Sequence, residues 1–169
     1  MKVILMFLVF YIGCRDPDLD SYNSMVNNIS NEPLRLLINF NVHFLGGRIV
    51  VRTQDNKHQF YAAFKQINDS LDLYDMRLVG VDSLGFNSDE KIKLISTARL
   101  ACKIMKRWKI EKIYTDITGD SSLVFVLSDT YRLQVFLGDR PSSFPYDKSA
   151  QDRFKINSCW DLLRLKKHI

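Results

Sequence analysis

The spacing of apolar residues divides the chain into a part with helical periodicity and a later part with strand periodicity. Before residue 112, apolar side chains mostly recur at intervals of three and four, which places them on one side of a helix. The predicted helices cover residues 20–30, 33–46, 56–71 and 88–109. Two strands, 48–53 and 76–81, are predicted between them.

From residue 112 onward the apolar residues alternate with a period of two, which predicts strands. The predicted strands are 113–117, 123–127, 131–137 and a last one through 154–162. Residues 123–127, Leu-Val-Phe-Val-Leu, are apolar on both faces and are therefore expected in the centre of the sheet. Helices followed by antiparallel strands predict an α+β fold, with the helices packed on one face of a mostly antiparallel sheet.

The segment 88–109 is the strongest helix prediction. Asn87 followed by Glu90 resembles a capping box at its start, and its apolar residues cluster on one face. The opposite face carries Lys93, Arg99, Lys103, Lys106 and Arg107. Such a face is commonly just solvated, but it is also the feature of this chain best suited to an anionic partner. We expect neither nucleic acid nor a small-molecule ligand from the sequence.

Composition supports one globular domain. The chain has 169 residues, of which 46% are hydrophobic and 25% charged, enough for one ordinary core. The formal charge of +5 is too small an excess to indicate a nucleic-acid-binding protein by itself. The predicted organisation is a signal peptide over 1–13, a polar tether over 14–20 and a single domain over 21–169.

The predicted signal peptide has one cation followed by an unbroken apolar run. Lys2 precedes the run 3–12, which ends at Gly13 and Cys14. Spanning a bilayer takes about 20 apolar residues, so this run predicts an export or attachment signal rather than a transmembrane helix. The polar residues after Cys14 are typical of a tether.

The residues Tyr11-Ile12-Gly13-Cys14 resemble the lipobox of bacterial lipoproteins. The resemblance implies cleavage before Cys14, attachment of lipid such as palmitate to it, and a membrane-anchored protein at the bacterial cell envelope. An alternative remains open at this point. Residues 3–12 can instead form a buried strand of a cytoplasmic protein-interaction module, inhibitor-like in function, because a short apolar run has the same pattern as a core strand.

No residue spacing predicts a metal or cofactor site. His43, His58 and His168 lie far apart and show no ligand spacing with the cysteines, and no phosphate-binding loop is present. We therefore expect no metal and no cofactor. Cys102 and Cys159 remain after Cys14, and whether they form a disulfide is left open, because sequence does not fix their distance.

One polar cluster, Asp116, Asp120, Ser121 and Ser122, offers a possible carboxylate pair. The same residues, with Gly119 among them, are also typical of a tight turn. A hydrolase based on Asp116 and Asp120 remains an alternative, but we assign no catalytic residue. The leading hypothesis is a lipoprotein with a non-catalytic binding or scaffolding domain.

Overall fold

Short alternating strands form one continuous antiparallel sheet that dominates the protein. The computed structural model describes residues 19–53, 58–68, 70–80, 88–116, 122–138 and 149–166. Within these ranges the strands are β1 (Phe40–Leu45), β2 (Arg48–Thr53), β3 (His58–Ile67), β4 (Ser70–Gly80), β5 (Lys112–Thr115), β6 (Ser122–Val126), β7 (Tyr131–Phe136), β8 (Ala150–Lys155) and β9 (Trp160–Leu165). Their order across the sheet is β4-β3-β2-β1-β5-β6-β7-β9-β8.

The described helices pack on one face of this sheet. They are α1 (Leu19–Ser30), α2 (Ser88–Trp108) and a short 3₁₀ helix (Leu34–Leu37). Their buried residues join a hydrophobic core with one face of the strands, in which α2 lies over β2 and β3. Neither α-helix of the described ranges is long and apolar enough to cross a bilayer.

The predicted α+β class, with several helices covering a sheet, is wrong. The described chain forms nine strands and two α-helices, so the fold is dominated by its sheet. Two segments with helical apolar spacing, 33–46 and 56–71, account for the difference, because most of each lies in strands.

The segment 33–46 is helical only over the four residues of the 3₁₀ helix. Asn39 adopts a positive φ of 68°, which ends the helical path just before β1. Gly46 (φ 56°) and Gly47 (φ 78°) then close the β1–β2 hairpin, since a two-residue hairpin turn of this hand needs positive φ at both positions. The glycine pair therefore joins two strands instead of ending a helix.

The segment 56–71 lies largely in β3 and the start of β4. Phe60, Ala62 and Phe64 face the core with a period of two, while Ala63 is buried on the opposite face. Because both faces of β3 are buried, its apolar residues are spaced at intervals of three and four as well as two, which is the spacing that predicted a helix. Asn68, with a φ of 53°, lies in the turn between the strands.

The remaining predictions agree with the structure except at the C-terminal end. Strand 48–53, helix 88–109 and the strands at 113–117, 123–127 and 131–137 are confirmed to within a few residues, and β6 lies inside the sheet. The single strand predicted through 154–162 is wrong. Asn157 Oδ1 accepts hydrogen bonds from the backbone N–H groups of Cys159 (2.9 Å) and Trp160 (3.0 Å), and the resulting turn divides this stretch into β8 and β9.

Candidate functional site

A groove of about 820 Å³ lies on the helical side of the sheet, between α2, the 3₁₀ helix and the start of β4. Leu36, Leu71 and Leu100 contribute apolar surface to its wall. Thr97 is fully buried on α2 and donates from Oγ1 to the carbonyl oxygen of Leu36 at 2.9 Å. This hydrogen bond joins two walls of the groove, so its shape is set by the packing of the core.

Four of the five cations predicted on one face of α2 line this groove. They are Arg99, Lys103, Lys106 and Arg107. Their spacing of four, seven and eight residues from the first places them along one side of the helix. Lys93, the fifth, is exposed but is not part of the groove lining. The structure thus brings together four residues of the predicted anionic-partner face.

Two carboxylates also line the groove, and each is engaged. Glu32 Oε1 pairs with Lys103 Nζ at 2.6 Å, and Asp72 Oδ1 accepts a hydrogen bond from Ser70 Oγ at 3.3 Å. Arg107 Nη2 lies 3.4 Å from Asn28 Oδ1. These contacts leave the groove with four cations against two carboxylates.

Among the described side chains, Arg107 hydrogen-bonds only to the neutral amide of Asn28 and so keeps its charge. Arg99 and Lys106 are the two cations of the groove that have neither an ion pair nor a hydrogen bond to another described side chain. Neither Arg99 nor Lys106 forms an ion pair with any residue of the described ranges. Both side chains are exposed.

Arg99 and Lys106 lie two turns apart on α2 and both line the groove. A guanidinium and an ammonium group suit a phosphate or carboxylate, since both are strong donors to anionic oxygens. An anion can bind to Arg99 and Lys106 without breaking the ion pair between Lys103 and Glu32.

Cys102 lies behind the groove, on the core side of α2. Burial raises the pKa of its thiol, an effect that the charge of nearby Lys106 opposes. The thiol is therefore protonated at neutral pH and serves as a small core residue. Cys102 is buried and Cys159 exposed, and both are free, so the structure contains no disulfide between them.

The polar cluster predicted around Asp116 is only partly described, because Asp120 and Ser121 lie outside the described residues. Asp116 Oδ2 accepts a hydrogen bond from Gln134 Nε2 at 3.1 Å, and the same nitrogen lies 3.4 Å from Ser122 Oγ. Asp116 and Ser122 also share a backbone hydrogen bond of 3.1 Å. The described part of the cluster is a set of hydrogen bonds that joins β5, β6 and β7.

The histidines and Cys14 lie away from the groove or outside the described residues. His43 is on β1 and His58 begins β3, while Cys14 and His168 are not among the described residues. Within the described ranges, no three His, Cys, Asp or Glu side chains come close enough to hold a metal ion.

The sequence indicated the cations of the groove but not its other walls. Glu32 follows α1 and Asp72 belongs to β4, so both reach α2 only through the tertiary fold. Asp72 was missed because the residues just before it, up to 71, were predicted as a helix and not as part of a strand. Comparison of the chain with protein-family models, curated proteins and solved structures gives no match, so its function is argued from this geometry and from the sequence.

Proposed function

We propose that this chain is a non-catalytic binding protein of the bacterial cell envelope, anchored by lipid on Cys14. Its folded domain binds an anionic ligand in the groove between α2, the 3₁₀ helix and β4. The proposal combines two independent features of the molecule, the lipobox-like residues 11–14 and the cationic groove.

The observation that carries the binding role is the excess charge of Arg99 and Lys106 in a concave site. Each exposed cation alone contributes little, because water and salt screen it. A groove with apolar walls lowers that screening and lets several donors contact the same anion. Charge-assisted hydrogen bonds of this kind contribute about 1.5 to 3 kcal/mol each.

Binding rather than catalysis is favoured by the chemistry of the lining. The described lining residues supply cations, carboxylates, hydroxyls and apolar side chains, but no imidazole and no thiol. Ser70 Oγ is within hydrogen-bonding distance of the carbonyl of Ile67 (3.1 Å) and of Asp72 (3.3 Å), so it is placed to hold the turn. A hydroxyl needs a neighbouring general base to act as a nucleophile.

A phosphate group is the ligand chemistry that suits the groove best. Arg99 can present two parallel donors to phosphate oxygens, and Lys106 adds a compact charge. The phosphate can belong to a lipid headgroup of the membrane that holds the anchor or to a soluble metabolite. Vesicles of phosphatidylglycerol and soluble glycerol phosphate distinguish these two sources.

Replacing both cations, Arg99→Gln with Lys106→Gln, is expected to weaken anion binding about tenfold or more, because two charge-assisted contacts are lost. The measurement is isothermal titration of glycerol phosphate and co-sedimentation with phosphatidylglycerol vesicles. Both substitutions are on exposed positions, so the melting temperature should stay within about 2 °C of the wild type.

The matched control is Lys91→Gln with Lys93→Gln. It removes two charges from the same helix, at exposed positions that do not line the groove. We expect less than a twofold change in affinity. An equal loss in both double variants would show that the anion responds to net charge and that the groove is not a site.

The anchor is tested by growing bacteria that express the chain with radiolabelled palmitate. The wild type is expected to carry label and to sediment with membranes, and Cys14→Ala is expected to lose both, because the thioether needs the thiol. Cys159→Ala, which removes an exposed cysteine of the folded domain, is the control and should keep the label. Label that persists in Cys14→Ala, or a soluble unlabelled wild type, contradicts the anchor.

Deletion of residues 1–13 separates the anchor from the alternative of a cytoplasmic interaction module. A signal peptide contributes nothing to the core, so the shortened chain should melt within about 2 °C of the Cys14→Ala chain. A core strand of residues 3–12 would bury several large apolar side chains, each contributing about 1.5 to 3 kcal/mol. Loss of cooperative unfolding would therefore favour the interaction module.

A further inference from the structure

The strand β4 forms one edge of the sheet. It is 11 residues long and pairs with β3 on one side, and no strand of the described ranges pairs with its other side. In an edge strand, every second residue directs its backbone N–H and C=O groups away from the sheet. Such an edge can therefore accept a further strand.

The side chains of β4 leave this edge without the usual protection against pairing. Tyr74 is 68% exposed, and Met76 and Val79 are each 43% exposed. These three residues are half of the large apolar side chains that are exposed in the described part of the chain. Natural edge strands mostly avoid exposed apolar residues, because a long apolar edge pairs with other chains. The edge of β4 thus has the properties of a contact surface.

The opposite edge of the sheet, β8, shows the usual protection. It is six residues long, and its Asp152 and Arg153 pair with Arg164 and Asp161 of β9. None of its side chains is among the exposed large apolar residues of the described ranges. Of the two described edges, only β4 combines length with exposed apolar surface.

A bulge limits the part of β4 that can pair regularly. The register with β3 shifts at Tyr74, which is left without an opposite residue. From Asp75 to Gly80 the pairing with β3 is regular again. Because a bulge bends and twists a strand locally, this regular part is the one that suits an added strand.

Two opposite charges flank Met76 in the regular part of β4. Asp75 and Arg77 are two residues apart and lie on the side of the sheet opposite the helices. Arg77 is exposed and forms no ion pair with any described residue. Asp75 pairs with Arg48 of β2 but keeps 40% of its side chain exposed, so its carboxylate can accept a second cation.

We propose that β4 pairs with β4 of a second copy of this chain, antiparallel and about a two-fold axis through Met76. In this register Asp75 lies opposite the partner's Arg77, and Arg77 lies opposite the partner's Asp75. Opposite charges that face each other across two strands stabilise the pair. The contact is self-complementary, as a two-fold interface must be, and it joins the two sheets into one.

The charges select this register over its neighbours. A slip by one residue turns the side chains to the wrong face, so the nearest alternatives place the axis on Asp75 or on Arg77. Asp75 would then face the partner's Asp75, or Arg77 the partner's Arg77, and like charges directly opposite each other destabilise the pair. This self-complementary pattern is the reason for assigning the edge to a second copy.

The dimer is expected to be weak. Pairing through one strand buries less surface than a standard interface of about 1,600 Å², so association should depend on concentration in an accessible range. The contact involves neither the cations of the groove nor Cys14. It therefore does not depend on the function proposed above.

Charge exchange tests the pairing in sedimentation velocity of the full-length chain in a non-ionic detergent. The wild type should show a monomer–dimer equilibrium. Asp75→Arg and Arg77→Asp each create two like-charge pairs and should lower the association constant about tenfold or more. An equimolar mixture of these two variants should dimerise again, because a chain with two arginines then faces a chain with two aspartates.

The matched controls are Lys91→Asp and Asp129→Arg, at exposed positions outside β4. They should change the association constant less than about twofold. A wild type that stays monomeric at its highest soluble concentration overturns the proposal and leaves the edge for a strand of another protein. A mixture of the two β4 variants that stays monomeric, while the wild type dimerises, overturns it as well, because the dimer then uses another surface.

A cysteine on the axis gives a second readout without a change of charge. In the full-length chain with Cys14→Ala and Cys159→Ala, Met76→Cys should form disulfide-linked dimers on mild oxidation, since opposite Cβ atoms are about 4.5 to 5.5 Å apart. Val79 lies about 20 Å from its own copy in this register, so Val79→Cys is the control and should not crosslink. Equal crosslinking of both variants, or none in either, overturns the proposal.

Discussion

Replacing Trp160 by alanine is expected to lower the free energy of unfolding by about 3 to 5 kcal/mol, the cost of removing a large buried aromatic side chain. Trp160 begins β9, and only 2% of its side chain surface is exposed. Its ring lies 5.5 Å from that of Phe125, centre to centre, with the planes tilted by 32°. The loss therefore includes an aromatic pair as well as apolar area.

Trp160 also ties α1 to the sheet, which increases the expected effect. Its Nε1 donates to Ser30 Oγ at 2.9 Å, at the last residue of α1. Val26 and Ile29 of the same helix are buried in the core and depend on this docking. We expect the melting temperature of Trp160→Ala to fall by about 10 °C in a calorimetric scan.

Two milder variants separate the contribution of the hydrogen bond from that of the buried ring. Ser30→Ala removes only the hydrogen bond and should cost about 1 kcal/mol. Trp160→Phe keeps a buried aromatic ring but loses the hydrogen bond. Its loss in free energy of unfolding should lie between those of Ser30→Ala and Trp160→Ala. If Trp160→Ala costs less than about 1.5 kcal/mol, the ring does not pack between α1 and β6 as described.

The parts of the fold that sequence predicted well are those with one dominant local pattern. In α2 one face is apolar and the other charged, so a single period describes the whole segment. Strands β2 and β5 to β7 are rich in β-branched residues or show a period of two in their apolar residues. Their bounds agree with the predictions to within a few residues.

The parts that sequence predicted wrongly are those in which both strand faces are buried or the turn chemistry was misassigned. In β3, Phe60 and Ala62 face the core while Ala63 is buried on the opposite side of the sheet, so the apolar spacing fits a helix as well as a strand. Gly46 and Gly47 fit both a helix end and a hairpin. Only the strand pairing decides between these alternatives, that of β3 with β2 and β4 and that of β1 with β2. Pairing is a property of the tertiary structure.

The candidate sites follow the same division. Cations of the groove lie on one helix, so their spacing alone brought them together. Cations on the strands, such as Arg52 and Lys112, have neighbours that depend on a strand order that sequence does not give. Period two was visible in these strands, but it was interpreted only as sheet packing.

The second large effect is expected one residue after Trp160. Asp161→Ala should lower the free energy of unfolding by about 3 kcal/mol, because Asp161 is fully buried on the side of the sheet opposite the helices and pairs with Arg153. Arg153 Nε donates to Asp161 Oδ2 at 2.8 Å, and its Nη2 contacts the same oxygen. Removing one partner of a buried ion pair leaves a charge that has lost both its solvation and its counter-ion.

A matched pair on the same two strands shows that burial decides the size of this effect. Asp152 pairs with Arg164, but its side chain is 35% exposed. In a urea titration of both variants, Asp152→Ala should therefore lower the free energy of unfolding less than Asp161→Ala does, because Asp152 is already partly hydrated in the folded protein. Similar costs for the two aspartates would contradict the burial of Asp161.

Replacing both members of the buried pair tests the origin of the cost. Asp161→Leu with Arg153→Leu should recover most of the stability lost by Asp161→Ala, since two apolar side chains carry no desolvation penalty. A double variant that is as unstable as Asp161→Ala would contradict this origin of the cost.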